Sequence, residues 1–161
     1  MKYLLLFLLL AISFRMNAQD DPVTKNASDR SNYVSFYGEL LGNSYTLSAN
    51  AEYAHFFNNK RNGIYIRGGA GYIYYGTSVL FEGGYLIGKN KHYFELGLGY
   101  TEASNTDDED MIGIRAGYRR MGKNGFLLRV SPMLAILKYK NGEKEPWPWL
   151  GLSLGYSFPI K

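Results

Sequence analysis

The segment from Ser78 to Gly99 restricts the fold more than any other. SVLFEGGYLIG is followed by a KNK turn and then HYFELGLG. On the first arm Val79, Phe81, Gly83, Tyr85 and Ile87 share one face, and Leu80, Glu82, Gly84 and Leu86 share the other. On the second arm Phe94, Leu96, Leu98 and Tyr100 alternate with Tyr93, Glu95, Gly97 and Gly99. One face is apolar and aromatic. The other is small and holds a glutamate in each arm. A soluble hairpin buries its apolar face, whereas a hairpin in a membrane barrel turns that face to lipid and its glycines and charges inward.

The same period of two runs from Tyr33 almost to the end of the chain. It predicts eight strands, at 33–42, 45–57, 64–75, 78–88, 92–102, 111–121, 125–137 and 147–158. Most approach the ~9–11 residues that a tilted strand needs to cross a bilayer. The connections at 58–63, 89–91 and 122–125 are short, basic and rich in Asn and Gly, as hairpin turns should be. The connections at 103–110 and 138–147 are the longest. Outer-membrane barrels pair short periplasmic turns with longer external loops. The predicted fold is therefore all-β, an eight-stranded antiparallel up-and-down transmembrane barrel with both termini in the periplasm.

The apolar faces of these strands carry no charge, and their aromatic residues gather towards the two ends, as rings at a lipid headgroup boundary do. The opposite faces present Glu39, Glu52, Arg67, Glu82, Glu95, Arg115, Arg119 and Arg129, most of them at similar depth, as a belt. A soluble barrel with those charges outside would have to fill its interior with about a dozen rings, and eight strands enclose space only for ordinary side chains. Four carboxylates and four guanidiniums in a lumen admit two uses. They satisfy one another as a structural plug, the reading preferred here, or they form a gate or proton relay. Arg115 is expected between the strands of Glu95 and Arg129. Above this layer the inward residues Leu41, Ile73, Tyr75, Leu80, Met111, Met133 and Trp149, with Ala135 and Leu137, would line either a shallow apolar pocket open to the outside or a packed upper plug.

Composition narrows the field. The 161 residues leave room for one domain, and 15 Tyr with 19 Gly suit short strands and tight turns. There is no cysteine, which excludes disulfides, a thiol nucleophile, a thiolate metal site and a lipid-modified N-terminal cysteine. Residues 1–18 read as a secretory signal peptide: Lys2, then an apolar run from Leu4 to Phe14, then Met16-Asn17-Ala18 before a cut. Residues 19–32 are polar and aperiodic and read as a flexible periplasmic leader, leaving 33–161 for the barrel. Of the 18 basic residues Lys2 and Arg15 fall in the signal, leaving 16 against 14 acidic, a balance that offers nothing to a nucleic acid.

FYGELLG, HYFELGLGY, GIRAGYRR and PWPWLGLSLGYSF, with a last strand ending on an aromatic residue, resemble the small OmpA/OmpX-type outer-membrane barrels and an uncharacterised group of bacterial outer-membrane β-barrel proteins. The resemblance spans Tyr33 to Phe158. It implies a bacterial outer-membrane location, contact with outer-membrane lipid and lipopolysaccharide, insertion by the barrel assembly machinery, and a monomer. Pro159-Ile160-Lys161 extend beyond the usual terminal aromatic.

The remaining motifs carry little chemistry. The run Asp107, Asp108, Glu109, Asp110 lacks the alternating ligands and glycine of an EF-hand and reads as a solvated loop, so no metal or other cofactor is expected. His55 and His92 lie beside short turns with no serine in a triad arrangement. Gly69/Gly71 and Gly97/Gly99 precede no helix and are not phosphate loops. The functional expectation is a non-enzymatic outer-membrane barrel with a structural or surface-interaction role. The alternatives are a narrow channel or small apolar-ligand binder, and a lipid-modifying outer-membrane enzyme.

Overall fold

The structure, a computed structural model, describes residues 31–42, 46–57, 61–73, 76–104, 110–139 and 143–160. The expected signal peptide, most of the expected leader and the acidic run at 107–109 fall outside them. Eight strands follow one another: β1 (Asn32–Leu40), β2 (Leu47–Phe56), β3 (Asn62–Ile73), β4 (Gly76–Lys89), β5 (His92–Ser104), β6 (Asp110–Met121), β7 (Phe126–Lys138) and β8 (Lys144–Ile160). Each pairs antiparallel with the next, and β1 pairs with β8 from Asn32↔Ile160 to Leu40↔Leu152, closing the barrel. β8 is the longest strand at 17 residues and β1 the shortest at 9.

Two turns at the terminus end are tight, and each includes a residue that tolerates positive φ, Asn90 in one and Gly125 in the other. Asn90 (φ 61°) and Lys91 (φ 119°) join the paired residues Lys89 and His92, a two-residue connection whose twist matches that of the strands. Gly125 takes φ 89° after Gly122, whose N–H bonds the Phe126 carbonyl. The β6–β7 ladder runs from Asp110↔Lys138 to Arg115↔Met133 and resumes in the same register at Tyr118↔Val130. The gap coincides with Pro132, which has no N–H to give.

The alternation of faces is inverted relative to a soluble protein. Val79, Phe81 and Leu98 point outward and are 65%, 62% and 61% exposed, while Arg67, Glu82, Arg115 and Arg129 are buried inside. Outward rings mark the terminus end, among them Phe36, Tyr53, Phe94, Tyr118, Tyr156 and Phe158, with Tyr72, Phe81 and Tyr100 towards the other end. Phe36, Phe158 and Tyr156 touch in series, with centroids 6.4 and 4.7 Å apart.

Inside, the lumen is stacked in layers. The floor at the terminus end is apolar and aromatic: Tyr33, Tyr37, Ala54, Phe56, Tyr65, Leu86, Tyr93, Met121 and Leu127 pack together. Phe56 sits edge-on to Tyr33 (5.5 Å) and tilted against Tyr93 (4.9 Å). The charged residues lie above it. Higher still, Met111, Met133, Ala135 and Leu137 pack with Tyr139 and Trp149 on the β6–β8 side.

Candidate functional site

Strand pleating sends Glu39, Glu52, Arg67, Glu82, Glu95, Arg115, Arg119 and Arg129 all into the lumen, where each is at most 2% exposed. They divide into two tiers, not the single belt read from the sequence. In the tier nearer the loops, Arg115 Nη1 lies 2.6 Å from Glu39 Oε1 and its Nε 3.3 Å from Glu82 Oε2. Arg67 pairs with the same two carboxylates, donating through Nη2 to Glu82 and lying 3.7 Å through Nη1 from Glu39. In the tier nearer the floor, Arg119 Nη1 is 2.5 Å from Glu52 Oε1 and its Nη2 2.9 Å from Glu95 Oε2. Arg129 completes that tier at 2.6 Å from Glu52 Oε2 and 3.0 Å from Glu95 Oε1.

Each tier is thus a closed quartet, Glu–Arg–Glu–Arg, with zero net formal charge. The register explains why. Arg119 and Arg129 are direct Cα partners, so two like charges face each other across neighbouring strands. Glu52, arriving from β2 across the lumen, accepts from Arg119 on both carboxylate oxygens and from Arg129 on Oε2. Arg115 stands higher, opposite Gly97 and Met133, out of line with Glu95, which stands opposite Gly117. Its strand lies, as expected, between those of Glu95 and Arg129, but its side chain pairs with Glu39 and Glu82.

Two tyrosines join the tiers. Tyr65 donates its hydroxyl proton to Glu82 (2.6 Å) while its ring lies 5.0 Å from the Arg119 guanidinium carbon. Tyr37 accepts from Arg67 Nη1 (3.0 Å) while its ring lies 4.6 Å from that of Arg129. Each bonds one quartet through oxygen and the other through its face. Ser153 and Ser131 donate to Glu39 and Glu95, both at 3.1 Å. Glycine makes the space: a Cβ on Gly97 would sit 2.3 Å from the Tyr65 hydroxyl and 2.6 Å from Glu82 Oε1.

Among the residues expected in an upper-lumen pocket, Met111 and Met133 are buried and pack with partly buried Trp149 in one apolar cluster. Leu80 is buried on β4. Leu41 is not inside. β1 stops at Leu40, Leu41 turns the chain at φ 52°, and its side chain is 57% exposed. Reading β1 on to Gly42 kept Leu41 in the inward alternation, and the early turn breaks it. Tyr75 and the side chain of Ile73 lie outside the described residues. Sequence reasoning missed Tyr37 and Tyr65, although each sits two residues before a lumen charge, Glu39 and Arg67, on the same face. His55 and His92 are engaged at the terminus end, with Asn32 Oδ1 (2.7 Å) and the Tyr118 hydroxyl (2.5 Å).

A closed eight-stranded up-and-down barrel with an apolar exterior and an ion-paired interior has the architecture of the small outer-membrane barrels. No protein-family model matches the chain, and no curated protein matches it. Among solved structures it is similar to the Yersinia pestis outer membrane protein Ail in a phospholipid bilayer nanodisc, at 15% identity and a TM-score of 0.48, over 81% of this chain and 100% of that one. It is similar also to the N-terminal β-barrel domain of Pseudomonas aeruginosa OprF, at 17% identity and a TM-score of 0.48, over 80% of this chain and 98% of that one.

Proposed function

We propose that the chain is a non-enzymatic integral barrel of the bacterial outer membrane, with a structural or surface-interaction role, whose lumen is closed by the two Glu/Arg quartets. The observation that carries this reading is the pair of charge-neutral quartets, built from buried side chains of seven strands and meeting across the lumen. An ion crossing the barrel would have to part carboxylates from guanidiniums in a confined space, where breaking a buried pair costs ~3–5 kcal/mol. The aromatic floor below adds a second obstruction of packed rings. The apolar exterior matches outer-membrane lipid, with the termini and short turns in the periplasm and the β7–β8 hairpin outside. Lipopolysaccharide is the neighbour at that outer face, the barrel assembly machinery the route of insertion, and the protein a monomer.

Planar-bilayer recording on refolded protein tests the closure. The quartets predict no resolvable conductance steps in 1 M salt, on the order of the strongest routine screening. Regular steps from the wild-type protein would replace the plug by the narrow channel.

A further inference from the structure

The two sides of the β1–β8 seam differ in height. The pairing ends at Leu40↔Leu152, yet β8 continues to Lys144 with β7 as its partner. Leu40 and Leu47 are themselves partners, so the β1–β2 ladder ends at the same height as the seam. Pro148 and Pro146 lie four and six positions beyond Leu152, roughly 13 and 20 Å along the strand. Among the described residues, nothing pairs with that edge of β8.

The strand's parity fixes which groups the edge offers. The Ser157 N–H bonds the Gly125 carbonyl, and the Tyr139 N–H bonds the Glu143 carbonyl, so odd-numbered residues of β8 turn their backbone groups to β7 at both ends of the strand. The β7–β8 register is unbroken between those ends, from Phe126↔Tyr156 to Lys138↔Lys144. The even-numbered residues therefore face the open edge: Lys144, Pro146, Pro148 and Leu150. Both exposed prolines place their missing N–H there, and two successive rungs lack a donor.

We infer that Pro146 and Pro148 guard this open edge against strand pairing with a second copy of the chain. A long unpaired strand edge is a template for another strand, and a self-pairing of two β8 edges would be antiparallel and symmetric. Proline at alternate positions of the exposed edge removes the hydrogen bonds that would hold such a dimer, while the β7 side keeps its full ladder. The position of Pro132 sets it apart: it is an even-numbered residue of β7, and its missing N–H faces β6, inside the wall. This inference does not depend on whether the lumen is closed.

The test compares refolded wild type with Pro146→Thr/Pro148→Thr, Pro148→Thr and Pro132→Thr in detergent micelles. Sedimentation equilibrium reads the dimer constant, and heat-modifiable gel mobility reads barrel integrity. The double variant should dimerise at least about tenfold more tightly than wild type, two restored backbone bonds being enough for that. Pro148→Thr should shift the same way by less, and it decides the matter if the double variant does not refold. Pro132→Thr should behave as wild type. Edge variants that stay folded and as monomeric as wild type would overturn the inference, as would a Pro132→Thr variant that dimerises equally.

Discussion

At the scale of single residues, the quartets make each charge depend on two others. Removing Arg67 takes from Glu82 one of its two guanidinium partners in the quartet, thins the pairing of Glu39 and strips Tyr37 of its donor. Arg67→Met should lose ~3–5 kcal/mol in urea unfolding from lipid vesicles, because a buried charge is left uncompensated. Adding Glu82→Gln should recover part of that loss, and the double-mutant cycle should show coupling. The cycle of Arg67→Met with Glu95→Gln, across the two quartets, should couple more weakly, since no ion pair joins those residues. Equal coupling in both cycles would mean one undivided network. Gly97→Ala tests the space between the tiers. Its methyl would strike Tyr65 and Glu82, so a loss of ~1–3 kcal/mol is expected from overpacking. The eight charges and their inward direction are legible in the sequence, because each falls on the parity opposite to the uncharged apolar face of its strand. Their partners are not. Pairing across the lumen depends on the relative height of strands that are distant in sequence, as Glu39 and Arg115 are, and no local pattern records it.

At the scale of elements, each predicted strand overlaps the observed one, and the errors lie at the ends. β8 begins at Lys144, ahead of the expected 147, because its partner β7 runs up to Lys138 and the ladder carries through two prolines whose missing N–H faces away from β7. β1 ends at Leu40, ahead of the expected 42, because the chain turns at Leu41, a residue with no intrinsic taste for positive φ. Such limits are set by the neighbouring strand, which periodicity along one strand cannot report. The outward faces give a depth-resolved prediction. Leu98→Arg, well inside β5, should cost ~2–4 kcal/mol in bilayers, whereas Phe158→Arg, near the terminus end of β8, should cost about 0–1 kcal/mol beyond its lost packing. Urea titration in vesicles measures both. Equal costs would remove the membrane gradient from the account.

At the scale of the whole molecule, the barrel puts chemistry inside and grease outside, with the tall β7–β8 hairpin at one end and the start of β1 and end of β8 at the other. The chain has no cysteine, so single-cysteine variants report position without interference. On intact cells an impermeant maleimide should label Lys144→Cys and leave Lys123→Cys untouched, since β8 begins at the loop end and Lys123 lies in the turn before β7. The reverse pattern would invert the orientation and leave the barrel intact. The inside-out partition itself is tested most directly by collision accessibility of nitroxide labels in lipid vesicles, at Leu98 on the outer face and at Lys123 in an exposed turn. The account predicts that the label at Leu98 collides freely with oxygen dissolved in the bilayer and hardly at all with a water-soluble nickel complex, with the opposite result at Lys123. A label at Leu98 that meets the nickel complex as readily as one at Lys123 would contradict it, and the apolar face would then belong to water.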